Sequence, residues 1–154
     1  MKTTNRSLLI EQLDRKFEKF SILNESDIPS KGWIYSIRIA MNMSLAQLAR
    51  LLKKSIPTVK EIEEREENKN ITLKKLMEVA EALDFRFVYS FVPKESSLEK
   101  VIEKRAAEIA RRIVTRTSHT MKLEDQENRQ ERLEKAIKDR SEKIKKEVPR
   151  YLWD

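Results

Sequence analysis

Residues 43–64 read MSLAQLARLLKKSIPTVKEIEE, and the fold turns on whether this run is two short helices joined by a tight turn. Ser44 with Gln47 three residues on is the S-x-x-Q pattern that satisfies free amides at a helix start, so a helix is predicted from about Leu45 to Leu52. Ser55 can cap a second helix, with Pro57 in its first turn, where a missing amide proton costs little. Lys53, Lys54 and Ser55 then form the turn. Ala49 is small enough for two helices to cross over it, and Leu48, Leu52, Val59 and Ile62 supply the crevice. No glycine stands in the turn, so Lys53 or Lys54 must take the left-handed backbone, at roughly 1 kcal/mol.

This is the spacing of a helix-turn-helix, whose first helix lies across a DNA backbone while the second enters the major groove. Five acids, Glu61, Glu63, Glu64, Glu66 and Glu67, crowd the second helix. All of them facing a duplex would repel phosphate, but a 3.6-residue period distributes them around the helix. Glu61 remains on the expected reading face, where it can accept from a cytosine amine. Lys53, Lys54, Lys60, Arg65 and Lys69 are expected to reach phosphates, with Arg38 pointing outward beside them.

The flanking chain is read as helical. Leu9, Leu13, Phe17 and Phe20 predict an amphipathic helix over residues 6–20, followed by a loop ending near Gly32. Trp33, Ile34, Ile37 and Met41 mark one side of the next helix, and Thr72 caps another bearing Leu73, Leu76, Met77, Ala80 and Leu83. Phe85, Phe87, Tyr89 and Phe91 alternate with Arg86, Val88 and Ser90, a β-strand pattern closed by Pro93 that needs a partner strand. Ser96 with Glu99 predicts the start of a long helix, interrupted at TRTSHT, and a last charge-rich helix runs from Lys122 to about Glu147. The expected fold is therefore mostly α: a helix-turn-helix bundle with one short strand and long C-terminal helices. It divides into residues 1–31 (amphipathic helix and linker), 32–93 (helix-turn-helix with trailing strand) and 94–154 (dimerisation or partner binding).

The runs SLAQLA (44–49) and T58-V-x-x-I-E63 resemble the lambda repressor and Cro type, the xenobiotic-response-element family, over about 33–83. The resemblance implies a compact bundle that binds operator DNA as a dimer, with Ser55, Ile56, Pro57, Thr58, Lys60 and Glu61 facing the groove. Ser44 and Gln47 complete the expected DNA-binding set. The order QLDRKF, GWIYSIRIAMNMSLAQLA, ITLKKLMEVAEALDFRFVYSFVP, HTMKLEDQ, YLWD resembles the mobile mystery protein A family along nearly the whole chain. That resemblance implies a regulator borne on mobile elements and encoded beside a Fic-domain protein, hence an antitoxin with a Fic toxin as partner. Fic antitoxins block the ATP site with Ser or Thr, three residues, Glu, then Gly or Asn. Thr120 and Glu124 match, and Asp125 stands in the last place. Thr120 and Glu124 are equally an ordinary surface pair one helical turn apart. Arg105, Arg112 and Arg116 can grip an acidic protein or DNA, or form a solvated face.

Composition bounds the rest. The 154 residues carry 33 Lys and Arg against 26 Asp and Glu, a net +7 that favours polyanions. Residues 33–93 hold 10 basic and 8 acidic side chains, and residues 94–154 hold 17 and 13. With no cysteine, no thiolate nucleophile or disulfide is available, and the reducing cytoplasm is the expected compartment. A single glycine leaves no phosphate loop, and the single histidine, His119, has no ligand companion, so no enzyme, cofactor or metal is expected. No apolar run is long enough for a membrane. Two functions remain open: a DNA-binding regulator, dimeric and autorepressing, or a module whose C-terminal helices neutralise a partner enzyme with little sequence-specific DNA binding.

Overall fold

The structure is a computed structural model that describes residues 2–118 and 126–154. Its helices are α1 (Lys2–Glu18), α2 (Trp33–Ala40), α3 (Leu45–Leu52), α4 (Ile56–Glu67), α5 (Leu73–Ala82), α6 (Leu98–Ser118) and α7 (Gln126–Glu147), with 3-10 turns at Glu25–Asp27 and Arg150–Trp153. They fall into two compact units, one of residues 23–90 and one of residues 1–22 with 91–154.

The unit of residues 23–90 closes α2 to α5 around Ile34, Leu48, Ala49, Leu52, Val59, Ile62, Val79 and Leu83, all buried. Ser44 and Gln47 form the reciprocal capping box, and Ser55 and Thr72 accept from the Thr58 and Lys75 amides. Four helices end alike. Asn42, Lys53, Lys69 and Asp84 each take positive φ, and the next amide reaches back into the closing turn: Met43 to Arg38 O, Lys54 to Ala49 O, Asn70 to Arg65 O and Phe85 to Ala80 O. This is the Schellman ending, which usually employs glycine. A chain with one glycine builds it from side chains that cost roughly 1 kcal/mol each. Lys53→Gly is therefore expected to stabilise this unit by about 1 kcal/mol, raising its melting temperature by several degrees. An unchanged or lower melting temperature would show that the left-handed Lys53 carries no strain.

Residues 85–93 do not form the expected strand, and no β-strand occurs among the described residues. Alternation shapes a surface, but a strand exists only through ladder hydrogen bonds, and no ladder forms among the described residues. Phe87 and Tyr89 do lie on one side, their rings stacked at 6.2 Å.

In the other unit α6 and α7 form an antiparallel hairpin over Ile102, Ala106, Ile109, Ala110, Ile144 and Leu152. α1 packs on α6, with Ile10 against this core and Leu9, expected to face inward, 55% exposed. Asp14 caps α6, accepting from the Leu98 and Glu99 amides at 2.6 and 3.2 Å. Ser97 caps it too, accepting from Lys100 N at 3.1 Å. Ser96, the expected cap, instead takes φ 70°. The helix continues through Thr115–Ser118, the first four residues of TRTSHT, and His119 and Thr120 lie outside the described residues. Leu152 anchors the tail in the core, while Trp153 remains 55% exposed.

Candidate nucleic-acid interface

α3 braces α4 through Ala49, 3% exposed at the crossing, and the turn between them is set by Lys53 at φ 55°, ψ 43°. Ser55 begins α4. Its hydroxyl lies 2.7 Å from that of Thr58, so the two hydroxyls orient each other at the helix tip. Val59, Ile62 and Glu63 form the buried side of α4. Ile56, Pro57, Lys60, Glu61, Glu64 and Arg65 are exposed, and Thr58 is half-buried.

Two of the five acids on α4 have internal work. Glu63 is buried against Arg38, whose Nε and Nη2 donate to its two oxygens at 2.5 and 2.9 Å, while Nη1 donates to Met43 O at 3.0 Å. Arg38 therefore does not point outward to phosphate: it is 7% exposed and joins α2 to α4. The Glu63 carboxylate holds the Arg38 pKa above its ordinary value, against the opposing effect of burial. Glu66 turns to the start of α2, accepting from the Trp33 and Ile34 amides at 2.8 Å each. A carboxylate there also complements the positive end of the helix dipole.

Two of the three exposed acids, Glu61 and Glu64, are matched along the same helix, and Glu67 is exposed with no ion pair among the described residues. Arg65 Nη2 lies 2.6 Å from Glu61, and Lys60 Nζ lies 3.9 Å from Glu64. Glu78 sits between Lys75 at 2.7 Å and Lys54 at 3.2 Å, and its pKa is lowered, chiefly by the Lys75 hydrogen bond and then by that of Lys54. Among the expected phosphate contacts, Lys54, Lys60 and Arg65 thus carry acidic partners. Lys53 and Lys69 are exposed with no ion pair among the described residues, as are Arg50 and Lys74, which sequence reading passed over. Ser44 and Gln47 are exposed at the start of α3, engaged in the capping box. The expected groove-facing residues lie together on the first turns of α4, with Lys53 and Lys54 directly before them.

In the other unit, Arg105 fastens the tail, its Nε donating to Leu152 O at 2.8 Å and Nη2 to Asp154 O at 2.9 Å. Arg112 and Arg116 are exposed. Thr120, Glu124 and His119 lie outside the described residues. Among the described residues no group of three His, Asp or Glu side chains could hold a metal, and no helix is long and apolar enough to cross a membrane.

Residues 34–89 match a family model described as Helix-turn-helix, which spans α2 to α5 and the segment after them. These residues form a helix-turn-helix DNA-binding domain of the regulatory kind. No curated protein and no solved structure matches the chain.

Proposed function

We propose that this protein is a transcriptional regulator that binds duplex DNA as a homodimer in the cytoplasm and represses its own promoter. The observation that carries the reading is the disposition of acids on α4: Glu63 and Glu66 are withdrawn into internal contacts, leaving Ile56, Pro57, Lys60 and Glu61 on the exposed face of its first turns. Residues 32–93 read DNA, and residues 94–154 supply dimerisation or partner contacts. Ser55, Thr58 and Glu61 meet base edges, Ile56 and Pro57 make apolar contacts, and Lys53, Lys54, Lys60 and Arg65 meet phosphate. Glu61 accepts from a cytosine amine, with Ser44 and Gln47 at the flanking backbone.

The test is fluorescence anisotropy with the purified chain, using a duplex from upstream of its own gene and a scrambled duplex of equal length across a salt series. Preference for the upstream duplex at physiological salt is expected. Glu61→Gln should cut that preference by roughly 10- to 100-fold, and Lys60→Glu should weaken both duplexes. Equal affinity for the two duplexes defeats the regulator reading.

The resemblance to the mobile mystery protein A family supports a finer reading, in which the regulator is the antitoxin of a Fic-domain toxin encoded beside it on a mobile element. Thr120 and Glu124 are its partner contacts. Co-purification with the neighbouring gene's product, lost on Glu124→Ala, is the expected result; purification of this chain alone would defeat it.

A further inference from the structure

The helix-turn-helix unit is electrostatically poor for a DNA reader. Residues 23–90 carry 11 basic and 10 acidic side chains, and three of the expected phosphate contacts are already paired. Residues 94–154 carry the larger part of the excess, 17 basic against 13 acidic side chains, and within them a run of α6 is free of acids. Residues 109–118 contain three arginines and no acid.

Two contacts set the register of α6 against α7: Arg129 Nη2 donates to Ser118 O at 3.3 Å, and Lys145 lies 3.3 Å from Glu99 and 3.8 Å from Glu103. That register brings Arg112 and Arg116 on α6 level with Arg129 and Arg132 on α7. At about 100° per residue, each pair is displaced from its helix's buried seam in the same rotational sense. In antiparallel helices this places both pairs on the same flank. All four are exposed. Glu131 and Glu134 sit about 100° or more round α7 from Arg132. Glu108, on the same flank of α6, is held by Arg105 at 3.1 Å. Closer to the other end of the hairpin, Lys100 and Lys104 are paired with Glu103 and Glu95. Arg112, Arg116, Arg129 and Arg132 make no ion pair among the described residues.

We propose that Arg112, Arg116, Arg129 and Arg132 form a second, sequence-independent binding surface for the phosphate backbone of duplex DNA. The inference rests on the DNA-binding reading above and deepens it. Guanidinium groups present planar forks that grip phosphate oxygens in pairs, and four of them within a few turns supply the backbone attraction that the reading unit lacks. Base preference then resides in α4 and much of the affinity in the hairpin.

The test uses the full chain and the same two duplexes. Each lost phosphate contact lowers the slope of log K against log salt by about 0.9. R112Q/R116Q is expected to lower the slope by about two and weaken both duplexes roughly 10- to 30-fold near 0.15 M salt, with the ratio between duplexes unchanged. The four-site variant should lose more, and K135Q/K138Q on the other flank should bind as the unaltered chain does. Circular dichroism checks that the variants keep their helices. If the unaltered chain prefers its upstream duplex while the four-site variant keeps its slope, this surface is not a DNA contact and the regulator reading stands. If the unaltered chain binds neither duplex, both readings fall. If the variant loses binding to poly-glutamate but not to DNA, the surface serves an acidic protein and the proposal is overturned.

Discussion

Glu63→Ala is expected to lower the unfolding free energy of the helix-turn-helix unit by about 3–5 kcal/mol, enough to consume much of the stability of a small domain. The reason is what the substitution leaves behind. Arg38 is 7% exposed and surrenders two charge-assisted hydrogen bonds at once, keeping only Met43 O and the face of Tyr35, 5.3 Å from the guanidinium carbon. A buried guanidinium cannot shed its proton, so the cost appears as instability instead of neutralisation. The double replacement R38M/E63L removes both charges and fills similar volume, and it should unfold within about 1 kcal/mol of the unaltered protein or later. Urea denaturation of the unaltered protein, R38M, E63L and R38M/E63L measures the coupling directly. A loss below 1 kcal/mol for Glu63→Ala alone would mean that water reaches Arg38 and that the pair does not join α2 to α4. Because Glu63 lies on the buried side of α4, the variant should also weaken DNA binding even where the domain remains folded.

This pair shows where sequence reading stops. The caps at Ser44, Ser55 and Thr72 and a left-handed turn at Lys53 or Lys54 are legible because each depends on residues five or fewer apart, and the structure puts the left-handed residue at Lys53. The positions that the family resemblance assigns to the groove, from Ser55 to Glu61, fall at the start of α4. The buried pair joins residues 25 apart, and the Glu66 cap joins residues 32 and 33 apart. Nothing local distinguishes Glu63 and Glu66 from Glu61 and Glu64. The one usable signal is phase, since 59, 62, 63 and 66 share a side of a 3.6-residue helix and Val59 and Ile62 must be buried.

The strand expected at residues 85–93 failed for a complementary reason. Alternation is a local pattern, but the strand it suggests depends on a distant partner, which no pattern within the segment can supply. The Asp14 cap of α6, 84 residues from Leu98, is invisible likewise, and local pattern points to neighbouring Ser96 instead. Long-range polar contacts decide several features here because the chain is 38% charged and only 39% hydrophobic. Its acids and bases serve as caps and cross-links as well as surface.

Gly32→Ala is the second large effect, and it reaches the same domain through its entry. Gly32 has φ 85° and ψ 165°, a region that side-chain-bearing residues scarcely enter, with a cost of order 1–3 kcal/mol. A methyl group there would also stand 2.8 Å from Glu66 Cδ and Oε2. The end of a glutamate is ordinarily free to swing away, but this carboxylate accepts from both Trp33 N and Ile34 N, and moving it exposes the start of α2. Strain and lost cap together should cost about 3 kcal/mol or more. The two contributions separate in a cycle with Glu66→Ala. Once that side chain is truncated the three nearest atoms to the methyl group are gone, so Gly32→Ala should cost chiefly its backbone strain, about 1–2 kcal/mol less than in the unaltered chain. Thermal and urea unfolding of the four proteins provides the numbers. Equal costs in both backgrounds would mean that the backbone conformation alone requires glycine at position 32, and that the close approach of Glu66 has no part in selecting it.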